Sequence, residues 1–196
     1  GAAELAFISM EQSQTRYSSW IALSEEIAGL DETLLYYSFD NHSPWSRTLN
    51  DLSRNSNGAV VGCKWTDGRW AGKSALDFTN KNDQVRLELP TQHLAITLGA
   101  WIKLDKLNEY PVPIISSDSN TNGAVSWFIN PDGKLVLQIT KDGTPVRYES
   151  AVAFHKNRLG RWMHIATTFN HETQLVSHYV NGRSFSREKI TTIIPV

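Results

Sequence analysis

Leu94-Ala95-Ile96-Thr97-Leu98-Gly99-Ala100-Trp101-Ile102-Lys103 decides the fold. Taken alternately, Leu94, Ile96, Leu98, Ala100 and Ile102 make one apolar face, while Ala95, Thr97, Gly99, Trp101 and Lys103 make a second face of mostly small or apolar groups. A period of two is the repeat of a β-strand, whose side chains point to opposite faces in turn. Dressed on both faces, the segment reads as a central strand of a sandwich sheet.

The same pattern spreads outward. Val85, Leu87 and Leu89 alternate with Arg86 and Glu88. Trp127 to Ile129 and Leu135 to Ile139 are joined by Asn130-Pro131-Asp132-Gly133, where proline suits the first turn position and glycine supplies a positive φ. Asp142-Gly143 is a second turn signal, and Asn181-Gly182 a third, fitting a two-residue type I′ hairpin between Ser177–Val180 and Arg183–Phe185. Short strands with turn chemistry between them predict an all-β fold, a two-sheet antiparallel jelly-roll sandwich over residues 34–196.

Upstream the period changes. Residues 3–29 are rich in Ala, Glu, Gln, Leu and Ser, and Tyr17, Trp20, Ile21, Ser24 and Ile27 recur at helical steps, predicting a helix with an aromatic stripe for packing. Gly29 is the expected stop, with Leu30 placed for the hydrophobic contact of a C-terminal cap. The composition shift near Asp31 sets off residues 1–33 as a helical extension.

A chain of 196 residues, 40% hydrophobic, can bury one substantial core and is short for two full domains. Lys+Arg 19 against Asp+Glu 20 offers no basic field, which argues against nucleic acid as a partner. Cys63 is the single cysteine, so neither an internal disulfide nor a thiolate metal cluster can form. The sequence holds no apolar run long enough to span a bilayer and no zones of a signal peptide. Gly1 before two alanines reads as a residue left by expression cloning, with any export or membrane segment lying in a longer parent.

Leu34-Leu35-Tyr36-Tyr37-Ser38-Phe39-Asp40, Gly68-Arg69-Trp70, Ser74-Ala75-Leu76-Asp77-Phe78 and Asp83-Gln84-Val85 resemble the opening of a laminin-G-like (concanavalin A-like) jelly roll. Leu98 to Lys103, Asp132 to Leu135, Gly160-Arg161-Trp162-Met163-His164-Ile165-Ala166 and His178-Tyr179-Val180-Asn181-Gly182 continue in the order that this family uses. The helix followed by the Leu-Tyr-Tyr-Ser-Phe-Asp segment is more narrowly similar to the C-terminal region of bacterial iron-dicitrate-sensor-type (FecR-like) anti-sigma membrane proteins. That resemblance implies an extracytoplasmic place, periplasmic or extracellular, and a recognition role toward a carbohydrate or a protein surface. The family's jelly roll commonly continues past the Tyr-Val-Asn-Gly hairpin, whereas here only Arg183 to Val196 follow. The expectation is therefore a sheet lacking its closing strands, either shortened or with an open edge that a second copy covers.

Retaining glycoside hydrolysis needs two carboxyl groups about 5 Å apart. Glu88 stands alone in its strand, Asp77 and Asp83 sit near strand ends, and the two long later strands are read as carrying none. Nor does a Gly-x-Ser-x-Gly elbow occur to present a nucleophile. His164 and His178 share strand faces with apolar neighbours and read as core or interface histidines, and no His-x-His or His-x-x-x-His pair suggests zinc.

Asp118-Ser119-Asn120-Thr121-Asn122-Gly123 begins as a calcium loop begins, with oxygen ligands at alternate positions before a glycine. Its twelfth position is Ile129, where a bidentate Glu is required. Family members often hold calcium at loop tips, which keeps Asp118 and Asn120 as calcium candidates beside Asp51, Asn55 and Asn57, against the alternative of a polar hairpin loop. Of seven tryptophans, Trp101, Trp127 and Trp162 lie in apolar strands and are expected in the core; Trp45, Trp65 and Trp70 lie in loop-like stretches and are the candidates for a ligand platform. Together these readings point to a non-catalytic recognition module with no certain cofactor. A glycan-active hydrolase and a structural spacer are the alternatives.

Overall fold

In a computed structural model the described residues are 2–40, 43–89, 92–118, 120–191 and 195–196, side chains being described from residue 9. They form helix α1 (Ala2–Ala28) and strands β1 (Thr48–Leu49), β2 (Gly58–Val61), β3 (Lys64–Asp67), β4 (Ser74–Asp77) and β5 (Gln84–Arg86). Then follow β6 (Ala95–Lys103), β7 (Val112–Ser116), β8 (Val125–Ile129), β9 (Lys134–Lys141), β10 (Thr144–Val152), β11 (Trp162–Asn170), β12 (Leu175–Val180) and β13 (Arg183–Lys189). The chain divides into two compact units, residues 1–90 and 91–196.

The second unit is built from two four-stranded antiparallel sheets, ordered β10-β9-β8-β7 and β13-β12-β11-β6. Both give their inner faces to one core: Trp127, Ile129, Leu135, Leu137 and Tyr148 from the first, Met163, Ile165, Phe169, Val176 and Val180 from the second. Alternation is the cause. Along β11 every second residue from Met163 is buried, while Trp162 and His164 between them are half-buried on the other face. The turns behave as their residues dictate: Gly133 has φ 79°, and Asn181 and Gly182 have φ 50° and 76°, the two positive values of a type I′ hairpin.

Register overturns two expectations about tryptophans. Trp127 is fully buried, but Trp101 and Trp162 stand on the outer face of their sheet, because Ile96, Leu98, Ala100 and Ile102 fill the core from β6. The expected central strand β6 ends its sheet's order, next to β11 alone among the described strands. At the far side the sandwich is partly closed by a side chain: the Glu149 amide of β10 donates to Glu188 Oε1 of β13 at 3.2 Å. Val196 exchanges two backbone hydrogen bonds with His93, tying the last residues beside the start of β6.

In the first unit a three-stranded sheet, β1-β2-β5, and a hairpin, β3-β4, surround a small core of Leu49, Val60 and Cys63, joined by Tyr37, Phe39, Trp65, Leu76 and Val85. Leu34 to Asp40, read as an opening strand, makes only an isolated bridge at Tyr37. Phe39 at φ 57° bends the chain out of extended geometry, and the Tyr36 amide is taken by the Asp51 side chain instead of a neighbouring strand. Helix α1 ends where glycine was expected to end it, the Gly29 and Leu30 amides donating to the Glu25 and Ile27 carbonyls, while the Leu30 side chain is 52% exposed. The last turn is also closed by the Thr33 hydroxyl, which donates to the Ile27 carbonyl at 2.5 Å.

Candidate functional site

The three loop tryptophans take three different positions. Trp45 is 82% exposed on a turn in which the Ser46 amide donates to the Ser43 carbonyl at 3.1 Å. Trp65 belongs to β3, packs on the small core, and donates its indole N–H to the Ser46 carbonyl at 2.9 Å. Arg47 holds the same C-terminal flank, its guanidinium donating to the Cys63 carbonyl at 2.9 Å. Trp45 therefore stands on a turn held at its C-terminal end, with a flat apolar face open to solvent.

Trp70 is occupied by packing. Its ring lies 5.8 Å from Tyr17 and 5.7 Å from Trp20, which are themselves 6.1 Å apart, so the helix stripe read from sequence meets its partner here. Arg69 lies over Trp70 at 4.5 Å and Lys73 over Trp20 at 4.9 Å, a cation beside each indole. Lys73, 8% exposed, also pairs with Asp40 at 3.0 Å and donates to the Ser38 carbonyl, while Tyr17 donates to Asp40 at 3.0 Å. Burial lowers the Lys73 ammonium pKa, opposed by Asp40; burial and then Asp40 push the Tyr17 hydroxyl up to about 12. This cluster staples α1 to its unit.

Asp51 was a calcium candidate, and its surroundings do not fit the ion. Only 5% exposed, its carboxylate accepts the amides of Tyr36 and Ser53 on one oxygen and those of Asn55 and Ser56 on the other, with the Ser53 hydroxyl between them. Those donors fill the lone pairs a cation would need. Burial raises the carboxyl pKa, but the amides and the hydroxyl outweigh it and hold the group below its ordinary range. Asn57 turns its Oδ1 to the Asp51 amide, and Asn55 donates to the Leu34 carbonyl, so both serve the same loop.

The second candidate loop is closed by its own hydrogen bonds. Asn122 accepts from the Asp142 amide and donates to the Asp142 carboxylate at 3.2 Å, lashing the loop to the β9-β10 turn. Asp118 and Asn120 are exposed on it, and Ser119 lies outside the described residues. Among the described residues no group of three or more His, Cys, Asp or Glu side chains is placed to hold a metal.

Two features escaped sequence reading. Glu188 of β13 reaches the Glu149 backbone amide of β10 across the two sheets, a contact invisible to spacing within one strand. Glu149 is held by Lys134 at 3.1 Å. A groove of about 670 Å³ lies between the end of α1 and the loop after β1, walled by Glu25, Leu30, Asp31, Leu52 and Arg54. Arg54 has φ 63°, a strained value for a residue with a Cβ, and no run of residues announces it.

Among solved structures, the fold is similar to residues 221–444 of an S-layer domain-containing protein from Clostridium thermocellum, at 23% identity and TM-score 0.52, over 80% of this chain and 72% of that one. A candidate carbohydrate binding protein from Bacteroides ovatus follows at 15% identity and TM-score 0.42, over 63% and 40% of the two chains. The CBM40 of an IT-sialidase from Ruminococcus gnavus, solved with α2,3-sialyllactose, is similar at 13% and 0.37, over 53% and 55%. No curated protein sequence matches. No described helix is long and apolar enough to cross a membrane. Residues 75–195, the stretch from β4 through the sandwich, match the concanavalin A-like lectin/glucanases superfamily, and the chain belongs to that family.

Proposed function

We propose that this chain is a non-catalytic carbohydrate-recognition module whose stacking platform is Trp45. One observation carries the reading: in a chain of a lectin-bearing superfamily, an indole 82% exposed sits on a turn whose C-terminal end is held by Trp65 and Arg47. A large aromatic kept out of the core forgoes its own burial, and a rigid one loses little entropy when a sugar ring covers it. The test is a glycan array run with and without calcium, followed by titration of the best binder. Trp45→Ala should weaken binding about tenfold or more, equivalent to about 1.4 kcal/mol, and leave the melting curve unchanged. Silence of the wild-type chain on every glycan would support a spacer instead, and equal binding by Trp45→Ala would remove the platform.

The hydrolase alternative would rest on Glu149 and Glu188, which meet through the Glu149 backbone amide and not carboxylate to carboxylate. Their present duties oppose it, since one is paired with Lys134 and the other accepts a backbone amide. Release of reducing ends from a bound glycan, abolished in Glu188→Gln, would favour the enzyme. Calcium, in this reading, depends on Asp118 and Asn120, without Asp51.

The resemblance to FecR-like proteins supports an extracytoplasmic place for the parent, and fractionation of cells carrying it tests that. A protein ligand and pairing of two copies through a sheet edge are further proposals. Light scattering across a concentration series decides the second: a constant monomer mass would end it.

A further inference from the structure

One row of polar side chains crosses the otherwise apolar core of the larger unit. Thr167, His178 and Ser186 are direct cross-strand partners on β11, β12 and β13. From the facing sheet Trp127 reaches the same level, its Nε1 donating to Thr167 Oγ1 at 2.9 Å. Thr167 Oγ1 in turn lies 2.9 Å from His178 Nδ1. Trp127 and His178 are both 0% exposed, and Thr167 is 1% exposed.

The chemistry of the groups sets the direction of each bond. An indole nitrogen only donates, so Thr167 receives that hydrogen on a lone pair and still has a hydroxyl hydrogen to place. Among the described residues the acceptor in reach is His178 Nδ1. The neutral imidazole then carries its own hydrogen on Nε2. That atom is buried with no hydrogen-bond partner, and so is Ser186 Oγ on the neighbouring strand. Directly opposed residues of an antiparallel pair have Cβ atoms about 5 Å apart, which puts the two side chains on one face of the sheet, next to the register shift between His178 and Tyr179. Buried polar groups left unpaired are costly, and interiors answer them with ordered water that makes two or more hydrogen bonds.

We propose that one water molecule is bound between His178 Nε2 and Ser186 Oγ, accepting the imidazole hydrogen and donating to the serine hydroxyl. The row then runs continuously from Trp127 through Thr167, His178 and the water to Ser186 on β13, which ends its sheet's order. It is a hydration site inside the sandwich, independent of what the outer surface binds.

Nitrogen-resolved NMR of the histidine rings in the intact chain tests the tautomer, and a water-to-proton cross-peak at His178 Nε2–H tests the water. The expected result is a hydrogen on Nε2 with such a cross-peak, and loss of that peak in Ser186→Ala while the tautomer stays. A hydrogen on Nδ1 would overturn the inference, as would a peak unchanged in Ser186→Ala. A crystal structure of the intact chain gives a second reading: an ordered water touching both atoms supports it, and a direct Ser186 Oγ to His178 Nε2 bond refutes it.

Discussion

Asp51 shows what one side chain can organise. Its two oxygens gather four backbone amides and a hydroxyl from residues 36 and 53–56, so the loop is shaped around a buried charge. Asp51→Asn keeps the size but turns an NH2 group toward amides on one side, replacing acceptor by donor. Hydrogen bonds to a charged group are worth about 1.5–3 kcal/mol each in net terms, and losing those on one oxygen should lower unfolding free energy by about 3 kcal/mol in a urea titration. The charge also gives the stability a pH dependence. Because the folded-state pKa is depressed, this contribution is complete above the ordinary carboxylate range and is lost as pH falls through the folded value. Addition of calcium should leave the difference between wild type and Asp51→Asn unchanged; a difference that grows with calcium would reinstate Asp51 as a ligand.

At the scale of elements, α1 was legible as to its face and not as to its partner. Tyr17, Trp20, Ser24 and Ile27 are the members of the stripe that pack, as helical periodicity predicts, while Ile21 is 37% exposed at its margin. Nothing in the stripe names Trp70, which arrives from the far side of the β3-β4 hairpin and which reading by position assigned to a ligand. Likewise the alternation along β6 fixed which residues face the core, but not which strand lies beside it, since neighbours are chosen by topology and alternation reports only faces. Trp70→Ala should free the helix, because two ring contacts and one cation contact leave together. Truncation of a buried aromatic costs about 3–5 kcal/mol, and for this half-buried ring about 2 kcal/mol is expected. Limited proteolysis should then cut within residues 9–28 faster than in wild type, and Trp70→Phe should fall between the two. Equal rates in all three would mean that the ring cluster does not hold the helix.

Across the whole molecule the sandwich was readable because turn chemistry and alternation agree from Leu94 onward, whereas the first unit was not: its order comes from a carboxylate, a buried lysine and a ring cluster, each a matter of contact between distant residues. The polar row in the main core joins both sheets through Trp127 and Thr167, so its protonation bears on unfolding of that unit as one cooperative body. Burial lowers the His178 pKa from 6.5 to about 4. In the unfolded chain the same imidazole titrates at its ordinary value, so as pH falls the unfolded state takes the proton first. Stability from this group is therefore complete above about pH 6.5 and declines between there and pH 4, below which it has no further effect. At about 1.4 kcal/mol per pKa unit, the total is about 3 kcal/mol. The comparison that isolates it is urea unfolding of wild type and His178→Leu at pH 7.5 and pH 4.5, where carboxylates and the other histidines act alike in both proteins. His178→Leu should be the less stable at neutral pH, because Thr167 and Trp127 lose the end of their chain of hydrogen bonds. It should also lose less on acidification, so that the gap between the two proteins narrows by about 2–3 kcal/mol. Curves that stay parallel between those pH values would show that the imidazole is not held neutral by the core, and with that the direction assigned to the Thr167–His178 bond would fail.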